Sequence, residues 1–329
     1  MKQVFFLGAT GYIGGSLLVA LIKEHPEFHY VTLVRSATSE EAVRAISATV
    51  ISGSFTDFER ITELSEQSDI IINAADSDNI ELTVAILKGM KSRYTKGNGV
   101  GILLHTSGTC NFLGEKPLSG DPRTTAWTDS EMDVKLINPS MLHGQVDTLI
   151  LEAGQEGYMN SYIICPSMVH GQCSGPVPRT PALVKMLVSW MLERNYAFCS
   201  GSPTTCSGLI NMEDLIPVYL IVFQCALQTG SSLSKMSPYA RYYIATGEEM
   251  TCMDTFVLVA EALHDKGKLE SSELNRVSPE ELSLVGSIST LGMHVCCEHL
   301  LEMGWNPGAP SFRQTVANDV DSVLTELHL

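Results

Sequence analysis

The sequence predicts an α/β protein: a doubly wound parallel Rossmann sheet with a smaller mixed α+β substrate domain. Three observations carry this. The first half alternates short apolar runs with stretches of helical spacing, the pattern of strands joined by crossover helices. The opening run, "KQVFFLGA", is continuously apolar, as suits a strand buried on both faces. It leads directly into "GATGYIGG", a glycine-rich turn between a strand and a helix.

The elements follow in order. After the first strand, "GGSLLVALIKEH" has helical spacing and stops before Pro26. "HYVTLVRS" is the second strand, and "SEEAVRAIS" a helix with acids in its first turn, where they complement the dipole. "ATVISGS", "SDIIINAAD" and "GVGILLHTSG" are strands three to five, separated by the helices "FERITELSEQS" and "NIELTVAILKGMKSRY". A long polar stretch, "TCNFLGEKPLSGDPRTTAWTDSEM", then breaks the pattern, and loops of this length in compact domains are usually functional or disordered. A helix is expected in "SMLHGQVDTLILEAGQEG" and a sixth strand in "NSYIICPS". Beyond the Pro/Gly-rich "GQCSGPVPRTPA" the chain is mixed: an amphipathic helix "ALVKMLVSWMLERN", a strand and apolar helix in "GLINMEDLIPVYLIVFQCAL", and a strand and turn in "ARYYIATGEEM". "SPEEL" starts a helix with Ser278 as N-cap, Pro279 in the first turn and Glu281 closing a capping box. "SFRQTVANDVDSVLTEL" is the last helix. The expected organisation is a dinucleotide-binding domain at 1–171, with 207–231 and 312–329 returning to it, and a smaller domain at 172–206 and 232–311.

Composition narrows the function. At 329 residues, 44% hydrophobic and 18% charged, the chain can bury a sizeable core. A net charge of −16 argues against nucleic acid and against an anionic membrane surface, both of which need a basic face. It leaves room for an anionic cofactor, which backbone amides at a helix start can hold. The nine cysteines are scattered with no CxxC or zinc-ligand spacing, so free thiols in a reducing compartment and no metal are expected. The N-terminal apolar run is too brief for a secretory signal, and "LIPVYLIVFQCAL" is too short to span a bilayer and carries Pro217. A cytoplasmic protein is expected, monomer or homodimer, acting on a small molecule.

Gly8, Gly11 and Gly14 have the strand–turn–helix setting of a phosphate-binding loop. The first two would allow a tight turn and close approach to a pyrophosphate; the third would let the helix pack against the strand. Thr10, Tyr12 and Ile13 belong to the same loop. The spacing GxxGxxG differs from the GxGxxG dinucleotide fingerprint. After the second strand, where an acid would bind the ribose of NAD, the chain reads Arg35 and Ser36. An arginine there suits the 2′-phosphate of NADP, so NADP is expected, with NAD as the alternative.

With "GATGYIGG", "LVRS", "NAAD", "HTSGT", "ICPSMVHGQCSGP", "INMEDL", "YYIATGEE" and "MGWNP" in this order, the chain resembles the short-chain dehydrogenase/reductase superfamily. It is most similar to the extended and atypical branch, with the epimerase/dehydratase and NmrA-like proteins. The resemblance implies that Ala74 and Ala75 line the cofactor site, that Ser107 contacts the reacting group, and that Pro166 lies near the nicotinamide. It also implies a catalytic Tyr-x-x-x-Lys pair, and here the chain departs. None of its ten tyrosines has a lysine four residues later.

The helix that should carry the pair reads "HGQVD". His143 and Asp147 are i and i+4, expected on one face. An imidazole can donate or accept a proton near neutral pH, and Asp147 could orient it or accept from the ribose hydroxyls, but it cannot replace a lysine's positive charge. Two readings stand: His143 as general acid with Asp147 in support, or two ordinary polar residues on a helix that has lost its function. Thr109, Trp127 and His170 are candidate substrate contacts, Trp127 as a cover over the substrate. His105 is either a packed core residue or a substrate contact. Cys165 and Cys173 look structural. Residues after Cys173 are expected to close over the nicotinamide end. The favoured reading is an NADP(H)-dependent small-molecule enzyme of specialised metabolism, performing carbonyl reduction, epimerisation or a redox-neutral rearrangement. The alternative is a dinucleotide-sensing regulator of NmrA-like type.

Overall fold

The structure is a computed structural model that describes residues 1–228 and 236–329. Its centre is a seven-stranded, all-parallel sheet. The strands are β1 (Gln3–Leu7), β2 (His29–Val34), β3 (Thr49–Ser52), β4 (Ile70–Asn73), β5 (Gly101–Thr106), β6 (Met159–Pro166) and β7 (Tyr242–Ala245), in spatial order β7-β6-β5-β4-β1-β2-β3. The order reverses between β1 and β4, and the crevice beyond the strand ends at such a point is where open α/β sheets bind ligands. Phe5, Phe6, Ile71, Ile72, Leu103 and Ile164 are fully buried, which explains why these strands read as unbroken apolar runs rather than alternating ones.

Helices cover both faces. Tyr12–Glu24 packs against Met212–Gln228, while Phe58–Gln67, Ile80–Thr95 and Gly144–Gln155 pack side by side. The last of these begins at Gly144, not at Ser140 as its spacing implied. Only glycine fits there, because a Cβ would lie 1.9 Å from the Asn138 carbonyl oxygen. His143 is the N-cap, with φ −95° and ψ 3°.

A second core joins helices Ala182–Arg194, Cys252–Asp265 and Phe312–Glu326 around Phe198, Leu209 and Val285. Beside it, a three-stranded sheet pairs Cys206–Asn211 with Glu248–Thr251 on one side and Met168–His170 on the other. The expected capping box of Ser278 and Glu281 is present at the turn Pro279–Leu282. Four elements lie elsewhere than the sequence placed them. Tyr242–Ala245, expected in the smaller domain, is the edge strand β7 of the main sheet. Phe312–Glu326, expected to return to the main sheet, buries Phe312, Val316 and Val320 in the second core. Met168–His170 and Cys206–Asn211, both assigned to the dinucleotide-binding part, pair with each other in the three-stranded sheet. In each case the apolar pattern identified the element but not its partner, since any apolar face can be buried against any other. The boundary at 231/232 lies outside the described residues.

Candidate active site

The loop after β1 is shaped by the absence of side chains. Gly8 has φ +97°, and a Cβ there would lie 2.2 Å from the carbonyl oxygen of Ala74 at the end of β4. A Cβ on Gly14 would lie 2.3 Å from the Gly8 carbonyl oxygen. The Gly11 amide donates to that same oxygen at 2.9 Å, and Gly11 begins helix Tyr12–Glu24 without a side-chain cap. The result is an uncapped helix start, bearing the positive end of a helix dipole, facing the crevice at the reversal point. That is the cradle a dinucleotide pyrophosphate fits. Ala74 and Ala75 adjoin it, half-buried.

The segment after β6 rests on this loop. The Tyr12 hydroxyl donates to the Gly171 carbonyl at 2.5 Å, the Ser174 amide to Ser16 Oγ at 3.1 Å, and Arg179 Nε to the Thr10 carbonyl at 2.8 Å. Ile13, half-buried, packs against the main core. Arg35 is exposed at the end of β2, its guanidinium 5.8 Å from the Phe55 ring centre. Ser36 caps the next helix, accepting from the Ser39 amide at 3.2 Å.

Beyond β4 and β5 lies a polar cluster. The buried Asp147 carboxylate accepts three hydrogen bonds on Oδ2, from Ser107 Oγ (2.7 Å), Asn111 Nδ2 (2.7 Å) and the Tyr242 hydroxyl (2.9 Å). Among the described residues its Oδ1 has no hydrogen-bond partner; it lies 3.9 Å from His105 Nε2, which also has none among them. The tautomer of His105 follows from its other side. The Ala75 amide donates to Asn73 Oδ1, so Asn73 Nδ2 faces His105 Nδ1 at 3.2 Å and donates to it. The ring proton of the neutral imidazole is then on Nε2, aimed at Asp147. Burial dominates the electrostatics: it pushes Asp147 up to about 6 against the opposing pull of its donors, and it pushes His105 down to about 3 with help from the nearby His143. Tyr242 is raised well above the ordinary tyrosine value, again mainly by burial.

His143 sits above this cluster. Its Nδ1 is 2.7 Å from Asp78 Oδ1 and 3.2 Å from Ser77 Oγ, both just past the end of β4. Its Nε2 hangs over Gly108, where a Cβ would lie 2.8 Å from the nitrogen. Its backbone amide donates to Asn111 Oδ1 at 2.8 Å, so Asn111 ties His143 to Asp147. His143 and Asp147 therefore do not act as one face. The N-cap geometry of His143 turns its ring toward Asp78 and the crevice, while Asp147 points inward with no exposed surface.

The remaining candidates scatter. Ser107 joins the cluster, and Pro166 ends β6 fully enclosed. Thr109 is buried, its hydroxyl toward Met293 Sδ at 3.9 Å. Trp127 is not a cover: it is 3% exposed and packs 5.1 Å from the Phe112 ring, because a large apolar ring in a polar loop is the anchor that buries it. His170 is buried with Nδ1 2.9 Å from Thr315 Oγ1 and Nε2 3.4 Å from Glu248, which makes it a strut between the small sheet and the last helix. Cys165 is buried in β6, where burial raises its thiol well above the usual range. Sequence reasoning missed Asp78, Asn111 and Tyr242. The acid-rich end of "NAADSDN" offered a signal for Asp78; the other two carried none.

A parallel sheet with an uncapped, glycine-rich helix start at its reversal point fits a dinucleotide-binding protein. Residues 8–97 match the NAD(P)H-binding family model. The chain is 34% identical over 114 residues to the oxidase UcsJ of an Acremonium species, which covers 34% of this chain and 32% of that protein. It is 31% identical over 100 residues to a phenylcoumaran benzylic ether reductase of Pinus taeda, covering 27% of this chain and 32% of that one. These matches thus span about a third of the length of the curated relatives. Among solved structures, UDP-glucose 4-epimerase from Thermotoga maritima, crystallised with UDP-glucose, superposes with a TM-score of 0.68 at 15% identity over 99% of both chains. The dTDP-glucose 4,6-dehydratase of Bacillus anthracis, in complex with NAD, gives 0.66 at 14% identity over 100% of this chain and 98% of that one. Residues 8–97 therefore form an NAD(P)H-binding domain, and the whole chain shares the fold of the epimerase and the dehydratase.

Proposed function

We propose that the protein is an NADP(H)-dependent oxidoreductase acting on a small organic molecule, with His143 as its proton donor in place of the family tyrosine. The observation that carries this reading is the His143–Asp78 pair. Asp78 at 2.7 Å holds the proton on Nδ1 and fixes the ring, which leaves Nε2 turned to Gly108 at the mouth of the crevice. A bound nicotinamide would supply or accept the hydride. In reduction a doubly protonated His143 would give its Nε2 proton to the substrate oxygen and keep the Nδ1 proton toward Asp78; in oxidation the singly protonated ring would take the alcohol proton on Nε2.

Ser107 is the second contact to the reacting oxygen. Asp147 acts through it, holding the hydroxyl from below with Asn111 and Tyr242, rather than through the ribose. Arg35 would pair with the 2′-phosphate of NADP. Residues 171–179, already resting on the glycine loop, would enclose the nicotinamide end. The similarity to a benzylic ether reductase and an oxidase supports hydride chemistry on a non-sugar substrate. What favours the sensing alternative is the buried carboxylate of Asp147 where the resemblance implies a lysine. The fitting test is NADPH oxidation against a panel of ketones, enones and benzylic ethers. His143→Ala should lower turnover by about 10²–10⁴-fold with NADPH affinity unchanged. A parent protein that binds NADPH and reduces nothing would leave the sensing reading standing.

A further inference from the structure

A cleft of about 990 Å³ opens between the loop at residues 114–125 and the segments at 204–206 and 291–294. None of the residues lining it belongs to the glycine loop or the polar cluster. Packed side chains separate it from the reacting end, for Thr109 and Met293 are both buried. Its Met293 is the group that the Thr109 hydroxyl contacts, and Thr109 follows Gly108, over which His143 hangs. The volume is at the upper end of what a small-molecule site encloses.

The chemistry of its walls limits the occupant. Each cation that lines it already faces an acid. Lys116 Nζ lies 3.2 Å from Asp133 with both side chains buried; Arg123 forks onto Asp121 at 2.5 Å and Glu298 at 2.6 Å; His294 lies 2.6 Å from Glu249. A diphosphate needs uncommitted guanidinium or ammonium donors, and the −16 net charge of the chain adds a repulsive background. Hydroxyl groups are supplied instead by Thr124, Thr125, Thr204 and Thr205, and the rim bears the exposed side chains of Leu118 and Leu291.

We propose that this cleft is a separate binding site for a bulky, neutral, oxygen-bearing apolar molecule rather than for a nucleotide-linked sugar. Full-length protein is titrated with Nile red, a neutral amphiphile, and competed with UDP-glucose, the ligand of the structurally similar epimerase. Nile red should bind the parent, UDP-glucose at millimolar concentration should not displace it, and Thr205→Trp, which fills the cleft, should weaken the dye at least about tenfold. Leu291→Glu, on the exposed rim where folding is not at stake, should weaken it severalfold. NADPH affinity should be equal in all three proteins, which separates this result from any failure of catalysis. Displacement by UDP-glucose, or equal dye binding by the parent and both variants, overturns the proposal.

Discussion

The glycine loop and the polar cluster under His143 lie at neighbouring strand ends and are built in opposite ways. The loop is one contiguous stretch, Gly8–Gly14, and it works through backbone. Its requirement is that nothing project at Gly8 or Gly14, where a Cβ would meet a carbonyl oxygen at 2.2 or 2.3 Å. The cluster gathers Asn73, His105, Ser107, Asn111, Asp147 and Tyr242 from five segments of the chain, and it works through side chains. The loop therefore has one tolerated chemistry, whereas the cluster has adjustable parts with one orphaned donor and one orphaned acceptor. That difference predicts how each region should fail.

The largest effect belongs to the loop. Gly8→Val should abolish dinucleotide binding and destabilise the fold by about 3 kcal/mol, combining left-handed strain with overpacking against Ala74. Calorimetry with NADPH and a denaturant titration measure both, and a variant that binds normally would mean the loop is not the cradle. Next comes Gly108→Ala. Its methyl must push the His143 ring aside, and displacement of a catalytic group by about 1 Å can cost up to about 100-fold in rate. Turnover should fall by that order with NADPH affinity intact; an unchanged rate would detach His143 from the chemistry.

Arg35→Ala should be milder, weakening NADPH by about tenfold, the size of one charge-assisted contact, and leaving NADH unaffected. Equal losses for both cofactors would assign Arg35 to the fold rather than to the phosphate. The smallest effects are in the cluster's response to pH. Asp147 is raised from 3.8 to about 6, so the fold retains its proton in that window and loses stability as pH rises through it. His105 is lowered from 6.5 to about 3, so the fold refuses a proton that the unfolded chain accepts, and stability is lost as pH falls below 6.5. The two slopes oppose each other between about pH 4 and 6. Relative to the parent, Asp147→Asn should melt progressively lower as pH drops from 6 to 4, and His105→Gln progressively higher, each by roughly 2–5 °C. Parallel curves for parent and variants would show that the two groups do not titrate against each other.

Much of this is legible in the sequence. β1, β2, β4, β5 and β6 were visible because a strand buried on both faces must be largely apolar, and the glycine loop because backbone geometry alone demands glycine. His143 stood out through the missing Tyr-x-x-x-Lys. Trp127 misled because aromatic rings serve equally as anchors and as covers, and only its contact with Phe112 separates the two. Tyr242 was hidden inside an apolar strand, where nothing marks a hydroxyl that must find a carboxylate.

The sequence by itself determined the strand–helix alternation, the glycine loop and the absence of a Tyr-x-x-x-Lys pair, because these depend on local backbone rules and on residues a few positions apart. Only the tertiary structure decided that Tyr242–Ala245 joins the main sheet, that the last helix belongs to the second core, and that Asp147 faces Ser107 and Tyr242 while His143 faces Asp78. The physical reason is that burial is non-directional. An apolar face is satisfied by any other, and a buried polar atom by any partner within about 3 Å, so the choice among them is made by the packing of the whole chain.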